Sequence, residues 1–158
     1  MSLPVHLCFV CLGNICRSPT AAAVMAHLVD QAGLATEIII ESAGTGGWHV
    51  GDGADPRAQA EARRRGVPMH HSAQKFTARD FAQFDLVLAM DRENRDDLLA
   101  IVPDDDAAGK VRLLRSYDPA APPDAEVPDP YYGGPDGFAH VFDMVERACQ
   151  GLLTTLRR

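Results

Sequence analysis

Cys11 and Arg17 stand at Cys-x5-Arg spacing in the run Cys11-Leu-Gly-Asn-Ile-Cys-Arg-Ser18, a thiol and a guanidinium able to meet at one anion. The spacing alone means little, because thirteen arginines and four cysteines in 158 residues produce such a pair by chance. Its position gives it weight. Val5 to Cys11 is a short apolar run that reads as a strand, and Ser18-Pro19 reads as a helix start, with Ser at the N-cap and Pro at the first helical position. The run therefore joins a strand end to a helix N-terminus, where unpaired backbone N–H groups and the helix dipole attract anions. In that place the helix end and the Arg17 charge both favour thiolate over thiol, which makes Cys11 a nucleophile at neutral pH. Arg17 can grip two phosphoryl oxygens with its planar fork, a task to which Lys is poorly suited. Gly13 and Asn14 tolerate left-handed backbone, so successive N–H groups can turn inward around a bound phosphate. Ser18 serves either as an N-cap alone or also as a hydroxyl donor to the thiolate, making sulfur a better leaving group in a second step.

A phosphoenzyme route needs a second group to protonate the departing oxygen, and Asp129 is the candidate. Six of the eleven prolines fall in residues 118–135, which excludes regular helix or central strand and predicts a long loop of the functional kind. An Asp-Pro pair is by itself more often a turn, but Tyr131 and Tyr132 beside Asp129 are poor residues for a solvated linker and suit stacking on an aromatic substrate ring. Cys8 and Cys149 read as buried structural thiols.

The elements that must position these groups alternate along the chain. After the first strand, a helix with Ala21, Val24, Met25 and Leu28 on one face should stop at Gly33. Residues 37–42, centred on Ile38-Ile39-Ile40, have the character of a strand buried on both faces. Asp55-Pro56 repeats the cap-plus-proline signal for a helix that Gly66 ends. Thr77-Ala-Arg-Asp80 reads as a capping box. Residues 85–90 form a third, buried strand, 94–102 a helix and 111–114 a fourth strand. A final long helix carries Phe138, Val141, Phe142, Val145, Cys149, Leu152 and Leu156 on one face. This alternation predicts an α/β fold: a four-stranded parallel sheet with helices on both faces, the flavodoxin-like three-layer architecture, in one domain spanning residues 1–158. Ligands in such folds bind beyond the C-terminal ends of strands, where Cys11 falls.

The formal charge of −7 argues against a nucleic-acid partner. The one dense basic run, Arg63-Arg64-Arg65, reads as the solvated last turn of a helix. No apolar run approaches the roughly 20 residues that span a bilayer, and no cleavable leader is evident. Four cysteines at positions 8, 11, 16 and 149 match neither a metal-site spacing nor a disulfide framework. A cytoplasmic protein without membrane partners is expected.

The run Cys11-Leu-Gly-Asn-Ile-Cys-Arg-Ser-Pro19 together with Asp129-Pro-Tyr-Tyr-Gly133 resembles the low-molecular-weight protein tyrosine phosphatase family. Ser42-Ala-Gly-Thr45, Trp48-His49-Val50-Gly51, His71, Met90-Asp91 and Ser116-Tyr-Asp-Pro119 match in order, so the resemblance covers essentially the whole chain. The residues 118–129, rich in Ala and Pro, depart from it. The resemblance implies Cys11 as nucleophile, Arg17 as phosphate clamp and Asp129 as the acid that later activates water. It further implies that Asn14, Ser18, Ser42 and His71 hold the loop, and that Leu12, Ile15, Trp48, His49, Tyr131 and Tyr132 wall a pocket whose depth selects phosphotyrosine over the shorter phosphoserine. Cys16 resembles the family's second loop cysteine, which traps an oxidised nucleophile as a reversible disulfide. The implied partners are phosphotyrosine proteins, with inorganic phosphate or other oxyanions as product-like ligands, and no metal or organic cofactor is called for.

Two rival readings share the loop. A thioredoxin-coupled arsenate reductase passes oxidation to a further pair of cysteines, and none lies between Cys16 and Cys149. A non-catalytic phosphotyrosine-binding module would keep the loop but not all three catalytic groups.

Overall fold

The computed structural model describes residues 2–131, 133–134 and 136–158. β1 (Val5–Cys11) is buried at every residue but His6, as a central strand must be. It pairs in parallel with β2 (Ile38–Gly44) on one side and β3 (Leu86–Ala89) on the other, and β4 (Val111–Leu113) extends the sheet beyond β3. The order is β2-β1-β3-β4. The chain leaves β1 for one neighbour and returns to the other, so the C-terminal end of β1 is the topological switch point where α/β sheets open a crevice. Cys11, the last residue of β1, sits there.

Because side chains alternate across a strand, β1 divides the core. Leu7 and Phe9 join one apolar cluster with Met25 of α1 (Arg17–Gln31) and Phe142 of α5 (Gly137–Leu156). Cys8 and Val10 join another with Phe76, Phe81 and Leu98, the last from α3 (Arg92–Leu99). Helices therefore cover both faces, as the alternation predicts. Met25 and Phe142 are fully buried; cutting either to Ala would cost about 2–5 kcal/mol. α2 (Pro56–Arg64) and the short α4 (Asp105–Ala108) complete the helices, with 3₁₀ turns at Ala78–Gln83 and Leu114–Tyr117.

Four local expectations are corrected. β2 is an edge strand, and only Ile38 of its three isoleucines is buried; an apolar β-branched run marks a strand but does not say how many neighbours it has. α1 begins at Arg17 with Cys16 as N-cap and without a side-chain cap. Pro19 is then the third helical residue, still among the positions whose N–H has no helical partner. α3 runs Arg92–Leu99 instead of 94–102, because Asp91 caps it by accepting from the Asn94 N–H at 2.7 Å. In the basic run, Arg65 is not merely solvated: it pairs with Glu61, Asp143 and Glu146 and lies over the Phe142 ring at 5.2 Å, tying α2 to α5.

The expected proline-rich loop is present, with no helix or strand among its described residues from 118 to 136. It is anchored at buried Val127, whose N–H donates to the Met90 carbonyl at 2.8 Å just past β3.

Candidate active site

The loop after β1 is shaped by what its carbonyls do. The Cys11 oxygen accepts from the Thr45 N–H at 2.9 Å and the Leu12 oxygen from the Gly46 N–H at 2.9 Å. The Asn14 oxygen accepts from His71 Nε2 at 2.5 Å and the Ile15 oxygen from the Asp55 N–H at 2.8 Å. With the carbonyls drawn outward, the N–H groups are left on the inner side. The Asn14 N–H points at Cys11 Sγ, 3.3 Å away, and those of Gly13, Ile15, Cys16 and Arg17 make no hydrogen bond to any described residue. A ring of unpaired donors at a helix N-terminus is an anion site.

Asn14 holds this shape. It is fully buried at φ +57°, a conformation Asn tolerates better than most residues. Its amide donates to Ser18 Oγ at 2.8 Å and to Ser42 Oγ at 3.0 Å, while its own oxygen accepts from the Gln74 N–H at 2.9 Å. Ser18 Oγ, held by this amide, lies 2.9 Å from Cys11 Sγ and 3.5 Å from the Ala43 oxygen, close enough to share a hydrogen with the sulfur. Ser18 is thus a thiol partner and not a cap. His71 donates from Nε2 to a carbonyl; burial holds its imidazole below the ordinary histidine value, with the Asn14 carbonyl pulling the other way. Gly13 has no positive φ, contrary to expectation. Its missing side chain instead leaves room for the His49 ring, whose Cδ2 would lie 3.2 Å from an added Cβ.

Arg17 is 3% exposed. Its Nη1 donates to Asp91 Oδ2 at 2.6 Å and to the Val127 oxygen at 3.0 Å, and its Nη2 lies 3.8 Å from Asp129 Oδ2. Burial works against the charge, but Cys11, Asp91 and Asp129 outweigh it and raise the guanidinium above its ordinary value. With Nη1 committed, the Nε–Nη2 edge remains to fork onto two oxygens. Asp129 is half exposed and accepts from the Tyr131 N–H at 3.0 Å. Cys11, Arg17 and Asp129 converge on one pocket of about 200 Å³, walled by Leu12, Ile15, Trp48, His49 and Tyr131. Tyr132 lies outside the described residues.

Cys16 borders the same pocket. Burial first, then the Asp55 carboxylate, pushes its thiol up to about 12, so it is protonated at neutral pH. Arg57 grips both Asp55 oxygens, at 3.0 and 2.9 Å, donates to the Tyr131 carbonyl at 3.2 Å, and lies over the Tyr131 and Phe138 rings. It links the thiol loop to the segment carrying Asp129. All four cysteines are free and buried, and burial raises the Cys8 and Cys149 thiols as well.

The contacts that Asp91, Gln74, the Val127 carbonyl and the Asp55–Arg57 pair make at the site were not expected from the sequence, where Asp91 stands only in a matching landmark and Asp55 only as a helix cap. Only Asp91 left a usable signal, an Asp-x-x-Asn cap directly after a strand. Among the described residues no group of three His, Cys, Asp or Glu is arranged to hold a metal ion, and no helix is long and apolar enough to cross a membrane.

A sulfur nucleophile beneath an inward ring of N–H donors is built for phosphoryl transfer, which places the protein among cysteine-dependent phosphohydrolases of α/β fold. Comparison with known proteins narrows this. The family model described as low molecular weight phosphotyrosine protein phosphatase matches residues 6–158. A low molecular weight protein-tyrosine-phosphatase of Streptomyces coelicolor is 51% identical over 153 residues, covering 96% of this chain and 93% of its own. A crystal structure of an Entamoeba histolytica protein tyrosine phosphatase with Hepes in its active site superposes with TM-score 0.92 at 38% identity, covering 97% of each chain. A drosophila arginine phosphatase superposes with TM-score 0.86 at 30% identity, covering 96% of this chain and 98% of its own. The chain belongs to the low molecular weight phosphotyrosine protein phosphatase family and is a hydrolase.

Proposed function

We propose that this chain hydrolyses phosphotyrosine in proteins through a phosphocysteine on Cys11, in one catalytic domain. Cys11 Sγ attacks phosphorus as the ester P–O bond breaks. Asp129, protonated, gives its proton to the departing tyrosyl oxygen, which avoids an unstabilised phenolate. The non-bridging oxygens are held by the inward N–H groups and the free edge of Arg17, which Asp91 and the Val127 carbonyl fix in orientation before substrate arrives. In the second step Asp129 takes a proton from water as the water oxygen attacks phosphorus. The S–P bond breaks, Ser18 donates to the departing sulfur, and inorganic phosphate is released.

The observation that carries this reading is that Cys11, Arg17 and Asp129 open into one small pocket with Trp48, His49 and Tyr131 on its walls. An aromatic wall suits a tyrosyl ring over a guanidino group or a short alkyl ester. Phosphotyrosine proteins are accordingly the partners, with inorganic phosphate and related oxyanions as competitive, product-like ligands. A mechanism that needs Cys11 as a free thiol suits a reducing compartment such as the cytoplasm.

The test uses matched peptides bearing phosphotyrosine, phosphoserine or phosphoarginine, with no metal added. The wild type should release phosphate from the phosphotyrosyl peptide foremost, and Cys11→Ser should release none. Asp129→Ala should lower turnover by roughly 10² to 10⁴. Equal rates for wild type and Cys11→Ser, or faster release from phosphoarginine, would overturn the proposal.

A further inference from the structure

Trp48 is a wall with two sides. Its six-membered ring packs against Gly46, where an added Cβ would sit 1.8 Å from Cζ3, so glycine at 46 is what allows the indole to stand there. The indole lines the catalytic pocket. It also lines a groove of about 350 Å³, which shares Leu12 and Trp48 with the pocket and is bordered further by Phe76, Leu98 and Ile101. Phe76 and Leu98 are fully buried and form the floor, whereas Trp48 is 73% exposed, Ile101 40% and Leu12 39%. Three exposed apolar side chains gathered around one groove beside a reaction site point to an interaction surface, since hydrophobics scattered singly over a protein do not gather this way. At its rim Lys75 and Asp97 make no ion pair with any described residue.

We propose that this groove is a specificity subsite for the substrate polypeptide, receiving an apolar side chain two residues from the phosphotyrosine. The proposal rests on the phosphatase reading above. In an extended segment, side chains alternate and residues two apart point the same way, about 7 Å apart along the chain. With the phosphotyrosyl side chain down one side of the indole, the residue two places along descends on the other side, where the groove lies. The groove's continuity with the catalytic pocket selects the bound substrate itself as occupant, because that is the one chain held across this rim during turnover. Rim Lys75 and Asp97 are placed for the polar backbone and flanking side chains of such a segment.

The experiment compares seven-residue phosphotyrosyl peptides in an alanine background carrying Leu, Asp or Ala two residues before or two residues after the phosphotyrosine. Leu at one of these positions should raise kcat/KM about tenfold over Ala, as expected for burying most of a leucine side chain. Ile101→Asp should erase that gain and leave hydrolysis of p-nitrophenyl phosphate, which has no flanking residues, unchanged. Ile101 lies past the C-terminus of α3 and is substantially exposed, so the variant retains the fold. If Leu is no better than Ala at both positions, or if the gain survives Ile101→Asp, the subsite is refuted. Failure of the phosphatase reading would appear separately, as no hydrolysis of p-nitrophenyl phosphate by the wild type.

Discussion

Replacing Asn14 tests the physical account of the loop more sharply than replacing Cys11. Asn14 is fully buried, makes three side-chain hydrogen bonds and holds φ +57°. Asn14→Ala removes all three bonds, at about 1 kcal/mol each, and forces a Cβ residue without Asn's local compensations to keep a left-handed backbone, at about 1 kcal/mol more. The sum, about 4 kcal/mol, is a large share of the 5–15 kcal/mol by which such domains are stable. Asn14→Gly loses the same bonds but carries no left-handed penalty. Gly ordinarily destabilises relative to Ala through chain entropy, so the two explanations predict opposite signs. Urea unfolding should place Asn14→Gly above Asn14→Ala by roughly 0.5 kcal/mol or less, the left-handed penalty less the chain-entropy cost of glycine, with both well below the wild type. Turnover should fall in both, because the Asn14 N–H and the Ser18 hydroxyl that it orients are the hydrogen-bond partners of Cys11 Sγ. If Ala proves clearly more stable than Gly, or if either variant unfolds within about 1 kcal/mol of the wild type, the loop is not held as described.

Asp91→Asn keeps the size of the side chain but removes the charge that fixes Arg17, and should lower kcat on p-nitrophenyl phosphate by about tenfold or more; Asp91→Ala should also destabilise the fold, since it loses the α3 cap, by about 1 kcal/mol in urea unfolding. Iodoacetamide at pH 7 should label Cys11 and spare Cys8, Cys16 and Cys149, whose thiols burial holds protonated, with inorganic phosphate protecting Cys11; mass mapping of the adducts decides it. Burial depresses the His71 value in the folded state, so the unfolded chain binds the proton more readily. The associated stability is fully present above the ordinary histidine value of about 6.5 and is lost as pH falls from there through the lower folded-state value. His71→Gln should flatten the decline in the urea midpoint between pH 7 and 5, and an unchanged slope would show that His71 contributes nothing to it.

Much of this was legible along the chain because the signals act over a few residues. An apolar run ending at Cys11, a Pro near a helix start, Asn at a tight loop and Gly after helices are local steric and hydrogen-bonding facts, and they placed all four strands and put Cys11 at the end of the first. Even locally the competition between roles was hidden: Ser18 has the residue type of a cap, but its hydroxyl pairs with the thiol seven residues back. The apolar Ile38-Ile39-Ile40 run likewise marked a strand without revealing that it would lie at the sheet edge.

What the amino-acid sequence determined by itself was the chemistry: a thiol, a guanidinium and a carboxylate, with an anion-binding turn between strand and helix. What tertiary structure decided was their mutual geometry. Asp91 reaches Arg17 across 74 positions and the Val127 carbonyl reaches it across 110, so the clamp exists only once β1 and β3 pair and the proline-rich loop docks beside them. Gln74 reaches Asn14 across 60 positions, and the groove behind Trp48 forms only when residues near 48, 76 and 98 are packed together. Periodicity and caps fix the backbone within a few residues; contacts between distant segments depend on strand order and on how loops pack, and no short-range preference encodes those.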